Sequence, residues 1–177
     1  MRYKQFDLNF FINGSVGNKV GNYLKMKLTH MNSAWVNQLT DVKNRAHLAP
    51  KDGVRSAYWY DNIANVVVTN PGGTMPRASI NDPNDNDAWS DRYIEDGSYV
   101  RLKSITLGYT FSPMLVKKIG LTALRLTFNA TNLFTITGYD GYDPEIGVST
   151  ASANVFGLDN GRYPSPTTFA FGLNASF

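Results

Sequence analysis

The sequence predicts an all-β fold with a helical loop insertion, in which the chain supplies the last four antiparallel strands of a large transmembrane β-barrel. Aromatic residues make up 13% of the chain, with 10 Tyr and 10 Phe, and this composition is typical of β-structure. Four segments alternate between apolar and polar side chains, and their connections are long, short and long. We predict strands at about residues 4–14, 99–111, 122–134 and 167–177, and extracellular loops at about 15–98 and 135–166.

The first predicted strand has two chemically different faces. Over residues 5–13 the side chains alternate, and Gly14 follows the last of them. One face carries Phe6, Leu8, Phe10 and Ile12, whereas the other carries Asp7, Asn9, Phe11 and Asn13. A repeat of two residues indicates a β-strand, because successive side chains point to opposite faces of a sheet.

The segment after this strand shows helical spacing. Apolar residues follow one another at steps of three or four residues: Val20, Leu24, Leu28, Met31, Trp35, Leu39 and Val42. This spacing predicts an amphipathic helix within Asn22–Ala49, either one bent helix or two, with Asn32–Ser33 capping the second. Residues 50–98 are rich in turn residues, and the apolar run Ile63–Thr69 is interpreted as a strand or a buried loop segment.

Alternation returns in three further segments. Their apolar faces carry, in chain order, Ile105, Leu107, Tyr109 and Phe111; Leu124, Leu126, Phe128 and Ala130; and Phe169, Phe171, Leu173, Ala175 and Phe177. The first two of these segments are joined by residues 112–121, which contain Pro113 and Gly120. Each run has about the length that a tilted strand needs to cross a bilayer.

Connection lengths favour a membrane barrel over a soluble sandwich, which would show the same alternation. The connections span about 80, 10 and 30 residues, and bacterial barrels alternate long extracellular loops with short periplasmic turns. This order predicts that the last strand ends on the periplasmic side. The smallest such barrels have about eight strands, so we expect these four to belong to a longer protein. The alternative is a self-standing soluble β-domain that binds carbohydrate or protein.

Composition and spacing argue against several functional classes. A net charge of +3 without a basic block gives little support for nucleic-acid binding, and no Cys is present for a thiolate metal site. His30 and His47 are predicted to be isolated surface residues. The spacing of Asp82, Asn84 and Asn86 lacks the glycine and glutamate of a calcium loop and predicts a solvated turn. We therefore expect no metal, no cofactor and no enzymatic activity.

Several long motifs occur in a fixed order along the chain. They are Phe6–Gly14, Tyr93–Tyr109, Asn129–Glu145, and Gly157–Pro164 followed by Phe169–Phe177. In these motifs the sequence resembles the C-terminal part of SusC/RagA-type TonB-dependent outer-membrane transporters. The motifs cover roughly half of the chain and reach its last residue.

The resemblance implies a function for a much larger protein in the cell outer membrane. The complete protein is expected to be a plugged barrel of about 22 strands that imports glycans, oligopeptides or other large nutrients. Its expected partners are a SusD-like surface lipoprotein, TonB, which contacts an N-terminal region absent from this chain, and the barrel-assembly machinery. The expected ligand is an oligosaccharide or a peptide, and no nucleic acid.

Two sets of residues are candidates for function. Aromatic side chains in the predicted extracellular loops are candidates for ligand or partner contact: Trp35, Trp59, Trp89, Tyr139, Tyr142 and Tyr163. Loop packing and anchoring at the membrane interface are the alternatives for these residues. Within the family resemblance, Gly172, Ala175 and Phe177 are similar to the terminal signal that is read by the barrel-assembly machinery. An acidic cluster, Asp140, Asp143 and Glu145, is interpreted chiefly as turn chemistry, with contact to a ligand or an ion as the alternative.

Overall fold

A computed structural model describes residues 1–32, 35–80, 82, 84–146 and 156–177. The chain forms two compact units, which we call the strand unit (Met1–Gly21 with Glu95–Phe177) and the insertion unit (Asn22–Ile94). The helices and strands are β1 (Arg2–Tyr3), β2 (Phe6–Ser15), β3 (Lys19–Asn22), α1 (Tyr23–Thr29), β4 (Leu48–Pro50), β5 (Val66–Val68), β6 (Ile94–Asp96), β7 (Tyr99–Thr110), α2 (Pro113–Lys117), β8 (Ala123–Thr137), β9 (Leu158–Asp159) and β10 (Thr168–Ser176). Short 3₁₀ turns occupy Thr40–Asn44, Trp59–Asp61, Ile63–Asn65 and Asp91–Tyr93.

The strand unit is built on a five-stranded antiparallel sheet. Its strand order is β1-β2-β7-β8-β10. The four long strands, β2, β7, β8 and β10, therefore lie side by side in the order in which they occur along the chain. The short strands β6, β3 and β9 form a second, three-stranded sheet. The predicted fold class, antiparallel strands with a helical insertion, is therefore observed. Of the described residues, none belongs to a helix with the length and apolar character needed to cross a membrane.

The two faces of the five-stranded sheet differ in chemistry. One face presents large apolar side chains that stay exposed, among them Phe10 at 53% and Phe171 at 84%. The other face is bound together by polar contacts between neighbouring strands. The Thr106 hydroxyl donates to Asn129 Oδ1 at 3.0 Å, and the hydroxyl oxygens of Thr131 and Thr168 lie 2.6 Å apart. This distribution is the reverse of that in a soluble domain, where the apolar face of a sheet is buried.

An ion pair on the polar face spans three strands. Arg125 Nη2 on β8 donates to Asp7 Oδ2 on β2 at 2.8 Å, across β7. Gly108 of β7 lies between them, and a Cβ at this position would be 2.5 Å from Arg125 Nη2 and 2.6 Å from Asp7 Oδ1. The glycine thus leaves the space through which the two charged side chains meet.

We predict that Gly108→Ala separates Asp7 from Arg125 with little effect on the strand backbone. Both contacting atoms are the ends of flexible side chains, so they can move away from the new methyl group. The coupling between Asp7→Asn and Arg125→Met in a double-mutant cycle should fall from about 0.2–1 kcal/mol to near zero. The measurement is the free energy of unfolding of the full-length protein, and unchanged coupling in the Gly108→Ala background would contradict the prediction.

The helix predicted within Asn22–Ala49 is wrong in extent. α1 has 7 residues, and its N-terminus is capped by Asn22, whose Oδ1 accepts a hydrogen bond from Lys25 N at 2.8 Å. The chain is extended at His30, and a 3₁₀ turn at Thr40–Asn44 is the next helical element among the described residues. The apolar stripe does not share one buried face along its length, because Val20 is 1% exposed whereas Trp35 is 95% exposed. The proposed second cap includes Ser33, which lies outside the described residues.

The apolar run Ile63–Thr69 contains a strand. β5 pairs antiparallel with β4, with Val66 opposite Pro50 and Val68 opposite Leu48. Val67 and Val68 are exposed, so the run is a surface hairpin strand of the insertion unit and not a buried loop segment.

Candidate functional site

A β-bulge at Lys103 determines which side chains lie on the polar face at one end of the five-stranded sheet. On the β2 side, Ser104 is opposite Phe11 and Leu102 is opposite Ile12, so Lys103 has no partner of its own on β2. On the β8 side, Ser104 is opposite Thr131 and Leu102 is opposite Phe134, so two residues of β8 face Lys103. An extra residue in one strand reverses the faces of the side chains that follow it.

The reversal moves Arg101 onto the polar face. By strict alternation Arg101 would share a face with Ile105 and Leu107, both apolar. After the bulge, Leu102 joins that apolar face, while Arg101 is opposite Asn13 on β2 and Thr135 on β8. The sequence carries a signal of this change, since the apolar residues fall at Val100 and Leu102 and then at Ile105 and Leu107.

Arg101 is the centre of a group that we call the Arg101 cluster: Arg101, Lys103, Thr135, Asp143 and Glu145. Arg101 is 4% exposed and uses all three guanidinium nitrogens. Its Nε donates to Thr135 Oγ1 at 2.7 Å, its Nη1 to Glu145 Oε2 at 2.7 Å, and its Nη2 to Asp143 Oδ1. Lys103 Nζ donates to both oxygens of Glu145, at 2.6 and 2.7 Å.

The cluster ties two stretches of the last loop to β7. Asp143 Oδ1 also accepts from the backbone N–H of Glu145 at 2.9 Å, and Asp143 Oδ2 accepts from that of Ser165 at 3.3 Å. Every carboxylate oxygen of Asp143 and Glu145 therefore accepts at least one hydrogen bond. Carboxylates held in this way are poor candidates for acid–base chemistry. The interpretation of Asp143 and Glu145 as structural groups fits this geometry.

The charge state of Asp143 gives a prediction for pH. Burial favours a raised pKa, but the Arg101 guanidinium and the N–H groups of Glu145 and Ser165 hold the pKa of Asp143 below its usual value of 3.8. A lowered pKa in the folded state stabilises the loop at pH values above the usual pKa, and this stabilisation is lost as the pH falls through the folded value.

We therefore expect the loop to be equally protected from hydrogen exchange at pH 7 and pH 5, and to lose protection below about pH 4. Hydrogen exchange of residues 138–146, corrected for the intrinsic rate at each pH, measures this. Asp143→Asn should weaken protection at neutral pH and remove most of the acid dependence. If the variant keeps the full acid dependence, another group is responsible.

A second buried pair lies in the same loop. Tyr139 and Asp159 are 6% and 1% exposed, and the Tyr139 hydroxyl donates to Asp159 Oδ2 at 2.7 Å. Asp159 Oδ1 accepts from the N–H groups of Gly161 and Arg162 at 2.8 and 3.3 Å. Burial and the neighbouring Asp159 carboxylate raise the pKa of Tyr139 well above its usual value, so the phenol stays protonated and keeps donating.

The predicted aromatic contact residues differ in their surroundings. Tyr139 is buried against Asp159, so in this structure its ring is not presented to a ligand. Trp89 stacks on Tyr23 at 6.2 Å in the insertion unit, and Trp59 lies edge-on to Tyr60 at 5.9 Å. Trp35, Tyr142 and Tyr163 are 95%, 66% and 84% exposed. The six residues divide equally between the two units, and ligand contact by them stays a prediction.

The predicted terminal signal lies on β10. Gly172 is opposite Thr127 and Ala175 is opposite Leu124, while Phe177 follows the end of the strand and is 93% exposed. A Cβ at Gly172 would lie 2.5 Å from Thr127 Oγ1, so a glycine fits closely there. Reading of this strand by an assembly partner stays a prediction.

The prediction that His30 is isolated is wrong. Its Nε2 lies 2.9 Å from Asp82 Oδ2, and its side chain is only 10% exposed. Asp82 is 52 residues further along the chain, so no local spacing could have indicated the pair. Arg101 and Lys103 were missed as site residues for a related reason, because their carboxylate partners lie 42 or 44 residues away.

Comparison with known proteins gives consistent matches along the whole chain. No protein-family model matches it. The chain is 34% identical over its full length to TonB-dependent receptor P3 of Formosa agariphila and 27% identical to TonB-dependent receptor SusC of Bacteroides thetaiotaomicron. Among solved structures, the RagAB peptide importer in its closed-closed state matches 99% of the chain with a TM-score of 0.64 at 20% identity, and the RagAB peptide transporter does so with a TM-score of 0.66 at 18% identity.

These relatives are much longer than the chain. The chain spans 15% of receptor P3, 14% of SusC and 16% of the matched RagAB chains. The matches confirm the predicted fold class and the predicted SusC/RagA resemblance. The curated relatives are receptors, not enzymes.

Proposed function

We propose that this chain, whose sequence is of the SusC/RagA type of TonB-dependent receptor over its full length, forms part of an outer-membrane transporter that imports glycans or oligopeptides. The observation that carries the proposal is the full-length similarity to receptor P3 and SusC. The RagAB relatives are described as a peptide importer, which supports peptides as one of the two ligand classes.

The sheet supports a role in the wall of the transporter. Its apolar face is exposed at Phe10 and Phe171, as expected of side chains that contact lipid. Its polar face, with Asp7, Arg125 and the Arg101 cluster, then faces the lumen and the base of the last loop. We propose no catalytic step for this chain, because the described carboxylates of the cluster are engaged in holding the loop.

The proposed partners are those that the family resemblance implies, and similarity to SusC and RagAB supports the lipoprotein among them. A SusD-like surface lipoprotein would pair with the complete receptor, and TonB would act through a region outside this chain. The barrel-assembly machinery would read the C-terminal segment, with Gly172 and Ala175 on β10 and Phe177 directly after it. The exposed aromatic residues Trp35, Tyr142 and Tyr163 remain the candidates for contact with ligand or lipoprotein.

Deletion of the receptor gene in its host tests the proposed activity. We expect loss of growth on at least one glycan or peptide mixture as carbon source, restored by the wild-type gene, and recovery of the receptor in the outer-membrane fraction. Unchanged growth on every nutrient, together with recovery of the protein in a soluble fraction without detergent, would favour the soluble β-domain instead.

A matched pair of variants tests the orientation of the sheet. Phe10 and Phe11 are neighbours on β2, are 53% and 58% exposed, and lie on opposite faces. An arginine on a lipid-facing position costs about 2–4 kcal/mol near the bilayer midplane, whereas lumenal positions tolerate charge. Phe10→Arg should therefore lower the amount of receptor in the outer membrane far more than Phe11→Arg does. Equal loss in both variants would contradict the proposed orientation.

A further inference from the structure

The insertion unit contains a group of donors that the transport function does not use. His30 Nε2, one oxygen of Asp82 and one oxygen of Asp87 lie within 4.8 Å of one another. His30 Nε2 is 2.9 Å from Asp82 Oδ2 and 4.0 Å from Asp87 Oδ2. Ligands around a tetrahedral zinc ion are separated by roughly 3.3 Å, given metal–ligand bonds of about 2.0–2.1 Å. Of the two separations from His30 Nε2, 2.9 Å is shorter than about 3.3 Å and 4.0 Å is longer.

Neighbouring groups hold two of the donors in place. Asn86 Nδ2 donates to Asp82 Oδ1 at 2.8 Å, and the backbone N–H of Asp87 donates to Asp82 Oδ2 at 3.1 Å. The Asn32 side chain hydrogen-bonds the His30 imidazole. His30 and Asp82 are only 10% and 11% exposed. Outer hydrogen bonds of this kind orient the imidazole and carboxylate ligands in known metal sites.

A small cavity lies beside the donors. Its volume is about 20 Å³, and its lining includes His30, Asp82 and Asn86 together with Thr29, Ser79 and Tyr93. This volume is enough for one water or one ion but not for an organic ligand. Arg77 also lines the cavity, and its positive charge opposes a cation there. Its guanidinium, however, is 4.7 Å from the centre of the Tyr60 ring, which provides it with a partner of its own.

We propose that His30, Asp82 and Asp87 bind one divalent transition-metal ion of the zinc class, with a water from the cavity as a further ligand. An imidazole nitrogen with two carboxylates suits Zn²⁺ better than Ca²⁺ or Mg²⁺, which prefer oxygen ligands alone. The two carboxylates balance the charge of the ion. Bound metal would join the segment at His30 to the segment at Asp82–Asp87, and so would fix the fold of the insertion unit.

Metal binding by the full-length receptor tests this site. The receptor is purified in detergent, stripped with a chelator and titrated with Zn²⁺ alone, and the stoichiometry is measured by elemental analysis after dialysis. We expect Asp87→Asn and His30→Gln each to lose one Zn²⁺ per receptor, or to weaken its binding at least about tenfold. Asp85→Asn serves as the control, because Asp85 lies in the same turn but outside the donor group, and it should bind as wild type does.

Asp87→Asn is the decisive variant, because the Asp87 carboxylate is 45% exposed and 4.0 Å from His30, so its loss should leave the fold intact. Equal Zn²⁺ binding by wild type, Asp87→Asn and His30→Gln would overturn the proposal. So would equal loss in Asp85→Asn and Asp87→Asn. A site that takes up Ca²⁺ in preference to Zn²⁺ would contradict the assigned class of metal.

Discussion

Replacing Arg101 with Ala is expected to free the last loop from β7, at a cost of about 3–5 kcal/mol in local stability. The substitution removes the cationic partner of Asp143 and one of the two cationic partners of Glu145, in a site where Arg101 itself is 4% exposed. A buried carboxylate that loses its cation stays desolvated without compensation. Removing one partner of a buried ion pair therefore destabilises the fold far more than replacing both partners with apolar residues. Backbone amides of residues 138–146 and 156–165 should exchange with deuterium more than about a hundredfold faster.

Two controls show whether this effect belongs to the buried cluster. Lys19→Ala removes an exposed ion pair with Asp96, 3.4 Å long with both side chains more than half exposed, and should leave the hydrogen exchange of the loop nearly unchanged. Arg101→Lys keeps the charge but not the planar fork that reaches Thr135, Asp143 and Glu145 together, and should give an intermediate loss. If Arg101→Ala leaves loop exchange unchanged, the cluster does not hold the loop.

The second large effect is expected for Tyr139→Phe. The Tyr139 hydroxyl is the described donor to Asp159 Oδ2, and the Asp159 side chain is almost completely buried. Removing that donor leaves one oxygen of a buried carboxylate without its hydrogen bond, which costs about 1–3 kcal/mol and more when the group is charged. Hydrogen exchange of residues 158–162 should become at least about fivefold faster, while the ring packing is retained.

Tyr163→Phe is the matched control for this substitution. Tyr163 is in the same loop but is 84% exposed, so loss of its hydroxyl should change local stability by no more than about 0.5 kcal/mol. Similar effects of the two substitutions would show that burial of the Tyr139–Asp159 pair is not what stabilises the loop. A Tyr139→Phe variant with unchanged exchange would show that Asp159 finds another donor.

The strands were predictable because their cause is local. A strand with one face toward an apolar environment must alternate, and this pattern can be read from residues such as Phe6, Leu8 and Phe10 without knowledge of their partners. The observed β2, Phe6–Ser15, lies close to the predicted segment 4–14, and β10, Thr168–Ser176, lies within the predicted segment 167–177.

The predicted extent of the helix is wrong because helical spacing alone does not provide a surface against which the apolar side chains can pack. The run from Val20 to Val42 has the steps of an amphipathic helix, yet α1 ends at Thr29. Past that point His30 pairs with Asp82, and Leu39 N donates to Leu28 O at 2.9 Å, so tertiary contacts determine the path of the chain. Residues such as Thr29, Asn32 and Thr40 have weak helix propensity and offer little resistance to this outcome.

The candidate sites were only partly predictable, because they are made by pairs that are distant in sequence. Asp143 and Glu145 stood out as acidic residues in the loop, but nothing near them indicated Arg101 or Lys103 as partners. The shift of apolar residues from Val100 and Leu102 to Ile105 and Leu107 was a usable sign of the bulge, and with it of the face on which Arg101 lies.

The bulge at Lys103 also restricts how this chain can be re-engineered by exchanging segments with its relatives. A graft that replaces the part of β7 before Lys103 imports side chains with the facing that the donor protein gives them. If the donor lacks the extra residue, the transplanted positions of β7 before Lys103 exchange faces, and Arg101 moves from the polar face to the apolar face. The junction of such a chimera should therefore lie at the same position relative to the bulge in both proteins, and not at the same distance from the strand end.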